Sequence, residues 1–317
     1  MKAVFLDYGT MGAGLDLGEL ESLVTELTLF DDTGNDEVAS RIADVDIVFT
    51  NKVRLTRELL EQSPTLKFIA LTATGTDNID TDCAQQNGIG VANIRAYCTQ
   101  SVIEHVFGVL LTLTHSLNRY HNSVRAGEWA QSTEFCMLNF PVRELSAMTF
   151  GIVGYGALGQ GVASMAHKFG ATVLVSARPG SDEVPDDRVA FNEVLAESDI
   201  VSLHCPLTDA TRNLFGSEQF RAMKSDAILI NTARGGLIDS QALVDALTGG
   251  EIAAAAIDVL PNEPPLDGDP LLDYEGSNLI VTPHIAWATD RARQNAIDEL
   301  AANTRAFLAG AERNRVV

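Results

Sequence analysis

Three ionisable side chains stand in short polar segments that each follow an apolar run in the second half of the chain. Arg234 lies in "INTARGGLID", Glu263 in "IDVLPNEPP" and His284 in "TPHIAWAT". A guanidinium binds a carboxylate through two parallel hydrogen bonds. An imidazole titrates near neutral pH and can deliver a proton, and a neighbouring carboxylate favours its protonated form. These residue types could therefore bind a 2-keto acid and protonate its carbonyl oxygen while a hydride reduces it.

Each of the three residues has a structural alternative when it is taken alone. Arg234 could cap a local turn, Glu263 could be a loop carboxylate before a proline, and His284 could be a hydrogen-bonded histidine at a strand end. The carboxyl ends of parallel strands, however, line the ligand crevice of an open α/β sheet. Because all three residues follow predicted strands, the functional interpretation is favoured.

A glycine-rich turn precedes these segments. In "GIVGYGALGQG", which begins at residue 151, Gly154, Gly156 and Gly159 have G-x-G-x-x-G spacing and follow an apolar run. The glycines permit a sharp turn, a close backbone approach to a pyrophosphate and tight packing of the next helix. With Ala157 and Leu158 at the start of that helix, the segment predicts a dinucleotide site with the pyrophosphate at the helix N-terminus.

The next predicted strand indicates which dinucleotide binds. NAD-binding versions of the motif carry an acidic residue about 20 positions on, which binds the ribose 2′-hydroxyl. This chain reads "VSARPG" there, with Ser176 and Arg178 and no carboxylate. Arg178 could pair with a 2′-phosphate and Ser176 could hydrogen-bond to it. We expect NAD(P) as the cofactor and favour NADPH over NADH; the alternative is that Arg178 stacks on adenine or points into solvent.

Alternating apolar runs and amphipathic segments predict an α/β fold to position these residues. The strands predicted before residue 99 are "KAVFLDY", "DIVFT", "LKFIALTA" and "GIGVANI". Six more are predicted between residues 148 and 283, the strand number of a complete Rossmann sheet: "FGIVGY", "TVLVSA", "DIVSLHC", "AILINTA", "AAAAIDVL" and "NLIVTP". Helical spacing predicts one long helix over residues 99–127 and a last helix that ends near Gly310.

The glycine-rich turn falls almost halfway along the chain, which has an architectural explanation. If the chain begins one domain, crosses to a dinucleotide domain and returns at the end, the turn must fall there. We predict a discontinuous substrate domain, residues 1–98 and 289–317, and a dinucleotide-binding domain, residues 99–288. The predicted fold is a Rossmann-type doubly wound parallel sheet inserted in a smaller flavodoxin-like α/β domain.

Four ordered motifs, "GIVGYGALG", "NTARGGLID", "DVLPNEPP" and "TPHIAWAT", resemble those of the D-isomer-specific 2-hydroxyacid dehydrogenases. The segments "LTATGTDNID" and "SVIEH" resemble that family's substrate loop and interdomain helix, so the resemblance covers essentially the whole chain. It implies that Arg234, Glu263 and His284 are the catalytic residues, and that Arg234 and His284 also contact the substrate. Further cofactor contacts that we expect are His204, Cys205, Pro206, Thr232, Ala233 and Asp258, and further substrate contacts are Asn51, Thr74, Gly75, Thr76 and Trp287.

The pieces "FCMLNFPVREL" and "HIAWAT" are most similar to the glycerate dehydrogenase, or hydroxypyruvate reductase, branch of that family. This implies reduction of hydroxypyruvate or glyoxylate to D-glycerate or glycolate, with His284 as the proton donor and domain closure excluding water. Two alternatives stay open. One is an enzyme like phosphoglycerate dehydrogenase, for which Lys52 and Arg54 are the basic candidates, and the other is a non-enzymatic NAD(P)-sensing binding protein.

Composition excludes several other classes. A net charge of −21 argues against a nucleic-acid surface. The N-terminus lacks the apolar stretch of a signal peptide and no apolar run is long enough to span a membrane, so we expect a cytoplasmic protein. The cysteines form no C-x-x-C pair and the helical histidines have no metal-ligand spacing, so we expect reduced thiols and no metal; these residues are Cys83, Cys98, Cys136, Cys205, His105, His115 and His121.

An unusually apolar connection precedes the glycine-rich strand. It contains Phe135, Met137, Leu138 and Phe140, with Trp129 upstream. Exposed apolar patches of this kind commonly mark protein interfaces. We therefore predict a homodimer that buries this connection; the alternative is packing against the long helix.

Overall fold

The structure is a computed structural model that describes residues 1–181 and 183–317. The described chain separates into two compact units, Met1–Cys98 with Ala288–Val317, and Thr99–Trp287. The strands are β1 (Lys2–Phe5), β2 (Glu26–Leu29), β3 (Ile47–Thr50), β4 (Phe68–Leu71), β5 (Gly90–Ala92), β6 (Thr149–Val153), β7 (Thr172–Val175), β8 (Ile200–Leu203), β9 (Ile228–Asn231), β10 (Ala254–Ile257) and β11 (Leu279–Val281). The helices are α1 (Gly18–Ser22), α2 (Val38–Ile42), α3 (Arg57–Glu61), α4 (Thr81–Gln86), α5 (Thr99–Thr114), α6 (Leu117–Arg125), α7 (Ala157–Lys168), α8 (Phe191–Glu197), α9 (Ser217–Ala222), α10 (Ser240–Gly249) and α11 (Asp290–Leu308).

The first unit is built on a parallel sheet. Within residues 1–98, all of them described, it has five strands in the order β2-β1-β3-β4-β5, which is the flavodoxin-like order. Its four predicted strands are present, and β2 is one that the sequence did not indicate. β2 is an edge strand paired only with β1 and is largely exposed, so its sequence "ELTL" needs no apolar run.

The second unit contains the larger parallel sheet. All six strands predicted here are present in the described part of the unit, in the order β11-β10-β9-β8-β6-β7. A single-residue parallel bridge joins Ser176, just after β7, to Val189. If the Val189 segment is counted as a rudimentary strand, β7 and then this segment lie on one side of β6, and β8 and β9 lie on the other. This is the Rossmann order, in which the sheet extends in both directions from its first strand. The predicted fold class is confirmed.

Residues 99–127 form two helices, so the prediction of one long helix was wrong. α5 ends at Thr114 and α6 begins at Leu117, because Ser116 adopts a left-handed φ of 51°. The Ser116 hydroxyl donates to the carbonyl of Pro141 at 2.9 Å. The chain then turns away from the buried face of α5, and Leu117 is 52% exposed.

α5 is held rigidly in the second unit by its buried face and by α7. Val102, Val106 and Leu110 are almost fully buried. A Cβ placed on Gly161 of α7 would come within 2.5 Å of the Ile103 side chain, so α5 and α7 approach closely because this position is a glycine. The face of α5 that includes Ser101 and His105 contributes to the site described below.

α11 belongs to the first unit, to which the chain returns after β11. The hydroxyl of Thr289 caps the helix by accepting from the amide of Ala292, and the helix ends before Gly310, which has a left-handed φ of 70°. The Phe307 ring stacks on Phe68 of β4 with ring centroids 4.3 Å apart. No helix among the described residues combines the length and apolar character needed to cross a membrane.

Candidate active site

The glycine-rich turn connects β6 to α7, and each glycine has its own steric reason. Gly154 has a left-handed φ of 96°, and a Cβ there would collide with the backbone of His204 and Cys205. A Cβ on Gly159 would collide with the carbonyl of Gly154. Gly156 differs because, apart from itself and its two chain neighbours, no described residue has an atom within 4 Å of its Cβ position. The protein itself leaves this space open, as a pyrophosphate that approaches the backbone requires.

The end of β7 lies beside this turn. Ser176 is buried and its hydroxyl donates to the carbonyl of Ala177 at 2.7 Å, so its proton is already engaged. Arg178 is exposed and forms no ion pair with any described residue. Sequence reasoning missed Arg188, whose guanidinium lies 4.6 Å from the ring centroid of Tyr155 in the glycine-rich turn.

The loop after β8 carries the predicted contacts His204, Cys205 and Pro206. His204 Nε2 lies 2.9 Å from the Ser202 hydroxyl, while its buried Nδ1 has no hydrogen-bond partner among the described residues. Burial lowers the pKa of His204 to about 4 and raises the pKa of the Cys205 thiol. Near neutral pH the imidazole and the thiol are therefore both uncharged.

The loop after β9 presents Arg234 and is shaped by a residue that sequence reasoning missed. Asn231 is fully buried; its Nδ2 donates to the carbonyl of Arg234 at 2.9 Å, and its Oδ1 accepts from the amide of Ala233 at 3.0 Å. These bonds fix the backbone while the Arg234 side chain stays exposed, with Nη1 donating to the Ala233 carbonyl. The Thr232 hydroxyl is buried without a partner among the described residues.

Gly235 brings the Arg234 loop against the loop that carries Glu263. A Cβ on Gly235 would collide with the backbone of Leu260 and Pro261. The Glu263 carboxylate is held by both oxygens, since Oε1 accepts from the amide of Leu260 at 2.9 Å and Oε2 lies 2.6 Å from His284 Nδ1. Held by this carboxylate, Nδ1 is the ring nitrogen that keeps its proton, and Nε2 is the one that can exchange a proton with a ligand.

The His284 turn follows β11 and is held by Asp258. His284 has a left-handed φ of 55° and its amide donates to the carbonyl of Asp258 at 2.8 Å. The Asp258 carboxylate, whose residue is 2% exposed, accepts from the amides of Ile285 and Ala286 at 2.9 Å each. Thr282 Oγ1 lies 2.5 Å from the same carboxylate. Asp258, predicted as a cofactor contact, thus has its oxygens engaged in shaping the turn, which continues to the half-buried Trp287.

In the first unit, a buried carboxylate shapes the turn after β3. Asp7 is 2% exposed, and its oxygens accept from the backbone amides of Asn51, Lys52 and Val53. Asn51, predicted as a substrate contact, is 6% exposed and donates from Nδ2 to the Thr10 hydroxyl at 3.0 Å. One donor of the Asn51 amide is thus used within the unit, whereas Lys52 and the nearby Arg54 are exposed.

The predicted substrate loop follows β4 in the first unit. The Thr74 hydroxyl donates to the carbonyl of Ile94 at 2.9 Å, and Asn93 Nδ2 donates to the Thr74 carbonyl at 2.7 Å. Gly75 and Thr76 continue this loop towards the short helix α4. The backbone of the loop is therefore fixed from the region just after β5.

The residues present fit a dinucleotide. The open space at Gly156, the N-terminus of α7, and two buried polar atoms without partners, His204 Nδ1 and Thr232 Oγ1, all lie on connections that leave the carboxyl ends of β6, β8 and β9. That edge is where doubly wound sheets bind nucleotides. Among the described residues, no group of three or more His, Cys, Asp or Glu side chains could hold a metal ion.

A Rossmann sheet with this turn, followed by a histidine–glutamate pair and an arginine at adjoining strand ends, defines a nicotinamide-dependent dehydrogenase. Residues 107–286 match the family model "D-isomer specific 2-hydroxyacid dehydrogenase, NAD binding domain". The chain belongs to the D-isomer-specific 2-hydroxyacid dehydrogenase family and is an oxidoreductase with a nicotinamide cofactor.

Relatives with assigned names support this membership along the whole chain. Glycerate dehydrogenase of Methylorubrum extorquens is 45% identical, over 99% of this chain and 98% of the relative. Hydroxypyruvate reductase of Blautia hydrogenotrophica is 38% identical, over 100% and 99% respectively. Among solved structures, an acyclic imino acid reductase in complex with NADPH and D-Arg aligns with a TM-score of 0.86 at 29% identity, covering 100% of both chains.

The unusual state of His204 predicts a pH dependence of stability. The unfolded state takes up a proton at His204 below pH 6.5, whereas the folded state does so only near pH 4, so stability falls as the pH is lowered through this window. The separation of the two pKa values corresponds to roughly 3 kcal/mol over the full titration. In urea unfolding of the cofactor-free protein between pH 7.5 and 4.5, we expect His204→Asn to lose less stability than the wild type. The exposed His167→Asn is the control, and equal slopes for wild type and His204→Asn would contradict the lowered pKa of this imidazole.

Proposed function

We propose that the protein reduces hydroxypyruvate, and less efficiently glyoxylate, to the D-2-hydroxy acid. The observation that carries this proposal is the 2.6 Å contact between His284 Nδ1 and Glu263 Oε2, beside a loop that presents an exposed Arg234. The names of the M. extorquens and B. hydrogenotrophica relatives support hydroxypyruvate as the substrate.

In the proposed mechanism, three residues of the second unit have separate roles. The bound nicotinamide supplies the hydride. The Arg234 guanidinium binds the substrate carboxylate and donates towards the keto oxygen, which orients the carbonyl carbon. His284 Nε2 gives its proton to that oxygen as negative charge develops there. Glu263 keeps the Nδ1 proton in place and holds the ring plane, so that the proton leaves from Nε2.

Residues of the first unit are also proposed to contact the substrate. The "TATGT" loop would bind the substrate carboxylate through the backbone amides of Thr74, Gly75 and Thr76. Lys52, exposed on the turn that Asp7 shapes, would supply a local positive charge in a chain of net charge −21. Such a charge is needed because an acidic surface repels an anionic substrate.

The reaction is tested by following the absorbance of the reduced nicotinamide. We expect rapid oxidation with hydroxypyruvate, slower oxidation with glyoxylate, and little with pyruvate or 3-phosphohydroxypyruvate. His284→Ala should lower kcat by roughly 10²–10⁴-fold because the proton donor is lost, and Arg234→Ala should also raise KM for the keto acid. His167→Ala and Arg221→Ala, both exposed on other helices, serve as matched controls. Near-normal turnover in His284→Ala would contradict the mechanism, and preference for the phosphorylated acid would favour the phosphoglycerate alternative.

We propose that the enzyme prefers NADPH to NADH. The support is the absence of a carboxylate at Ser176–Ala177–Arg178, where a 2′-hydroxyl would need an acceptor, and the exposed Arg178. Because the Ser176 proton is engaged by Ala177, the positive charge of Arg178 would carry most of the interaction with a 2′-phosphate. This guanidinium is exposed and forms no ion pair with a described residue, so a 2′-phosphate would not have to displace such a partner.

Arg178→Gln tests this preference. We expect the KM for NADPH to rise about 10-fold or more, because a charge-assisted contact is lost, while the KM for NADH stays nearly unchanged. Calorimetry with 2′,5′-ADP and with 5′-ADP gives the same comparison without turnover, and Arg221→Gln is the control. Equal weakening of both nucleotides would indicate that Arg178 stacks on adenine.

We propose that the apolar connection after α6 forms a homodimer interface. Phe135 is 89% exposed and Leu138 is 82% exposed. Phe140 differs because its ring packs on Tyr120, with centroids 5.0 Å apart, and on Arg119 of α6. The packing of Phe140 thus attaches the connection to α6, while Phe135 and Leu138 stay exposed. A second copy of the chain would cover these two side chains.

Light scattering after size exclusion tests the dimer. We expect twice the chain mass for the wild type and a monomer for the double variant Phe135→Ser, Leu138→Ser, because the interface loses its two most exposed apolar side chains. Leu266→Ser is the matched control, since Leu266 is 88% exposed in a different loop. A wild-type monomer at micromolar concentration would overturn the proposal.

A further inference from the structure

We propose that Ser101 and His105, one helical turn apart on α5, are positioning residues that hold the His284 turn for proton transfer. The proposal rests on the proposed function, in which His284 is the proton donor. It concerns the first turns of α5, where the sequence indicated only that His105 lacks metal-ligand spacing. The structure instead connects both residues to the chain on either side of His284.

The two residues hold opposite ends of the turn. Ser101 Oγ donates to the carbonyl of Ala286 at 2.7 Å, and His105 Nε2 lies 3.2 Å from Thr282 Oγ1. Positions i and i+4 lie on the same face of a helix. One face of α5 therefore contacts the chain two residues before His284 and two residues after it.

The direction of the hydrogen bonds at His105 follows from the proton inventory. The Asp258 carboxylate accepts from Ile285 and Ala286, and at 2.5 Å it also accepts from the Thr282 hydroxyl. A hydroxyl has a single proton, so Thr282 Oγ1 can only accept from His105. His105 must therefore carry a proton on Nε2. The result is a chain in which His105 donates to Thr282 and Thr282 donates to Asp258.

These hydrogen bonds between His105, Thr282 and Asp258 are largely buried, which makes each of them stronger. The Asp258 side chain is 1% exposed and that of His105 17%, and His105 Nε2 lies 3.7 Å from Asp258 Oδ1. Hydrogen bonds in series polarise one another in such surroundings. Removing the outermost donor therefore weakens the hold of Thr282 and Asp258 on the turn.

The His284 turn needs such support because its backbone is strained. A histidine at a φ of 55° is in a sparsely populated backbone conformation, which persists only where its surroundings enforce it. α5 is a firm base, since its 16 residues pack with a buried face and against α7. A displacement of about 1 Å in a catalytic group can lower the rate about 100-fold.

Kinetics of three variants test the proposal. His105→Leu removes the donor and Ser101→Ala removes the second bond, and we expect each to lower kcat by about 10- to 100-fold with the KM for the cofactor nearly unchanged. His105→Gln retains an amide donor near the position of Nε2 and should restore most of kcat. His167→Leu, exposed on α7, is the matched control. Wild-type kcat in both His105→Leu and Ser101→Ala would overturn the proposal, and so would a His105→Gln variant that folds but is as slow as His105→Leu.

The double variant Ser101→Ala, His105→Leu adds a second criterion. Both residues act on one turn, so their effects on kcat should combine non-additively. Strictly additive losses would show that they act independently and would contradict a shared clamp. Thermal unfolding of each variant separates a loss of kcat from a loss of folded protein, and Ser101→Ala tests the clamp even if His105→Leu does not fold.

Nitrogen NMR of histidine-labelled protein tests the clamp without turnover. We expect His105 as the Nε2–H tautomer at neutral pH, and we expect the His284 ring signals to move in His105→Leu and Ser101→Ala but not in His167→Leu. The opposite tautomer, or unmoved His284 signals, would overturn the positioning role. If the wild-type protein reduces no keto acid, the proposed function fails, while these spectra still decide whether α5 holds His284.

Discussion

The rest of the site depends on the hydrogen bonds that the buried Asp258 carboxylate accepts. It accepts two backbone amides and a hydroxyl from the segment after β11, and it is 2% exposed. A buried ionised group is tolerated only when hydrogen bonds satisfy it, and here the donors come from the turn that carries the histidine. The need to satisfy this carboxylate thus becomes a restraint on the position of His284, and α5, which supplies the outer donors Ser101 and His105, extends the restraint into the interior.

The sheet order explains why three distant segments can cooperate. β9, β10 and β11 are neighbours in the parallel sheet, so the connections that leave their carboxyl ends start side by side. Gly235 then allows the first of these connections to pack directly on the second, and the histidine–glutamate contact joins the second to the third. Each join requires a particular residue, and a side chain in place of Gly235 would separate the arginine loop from the glutamate loop.

The sequence predicted the sheet of the second unit and singled out Arg234, Glu263 and His284 because both leave local signals. Buried parallel strands are continuous apolar runs, and the arginine, glutamate and histidine each follow one. β2 left no such signal because it is a largely exposed edge strand. The break at Ser116 depends on a contact with Pro141, which is 25 residues away.

The residues that support the site could not be predicted from local sequence patterns, because their partners are also distant in the sequence. The bond from Ser101 to Ala286 spans 185 residues and the contact from His105 to Thr282 spans 177. Nothing in the residue types around His105 distinguishes a partner of a buried network from a histidine on a helix surface. Asn231 is similar, because an asparagine at a strand end is common and only the folded loop shows that its amide holds the backbone at Ala233 and Arg234.

The single-residue bridge between Ser176 and Val189 has a consequence for how such an enzyme can diversify. Apart from residue 182, the chain from Arg178 to Arg188 contains no helix or strand, so it can gain, lose or exchange residues without shifting the register of the sheet. The connections that carry Arg234, Glu263 and His284, by contrast, each follow one of three paired strands. Substitutions in this segment can therefore change nucleotide binding during evolution without displacing the connections after β9, β10 and β11.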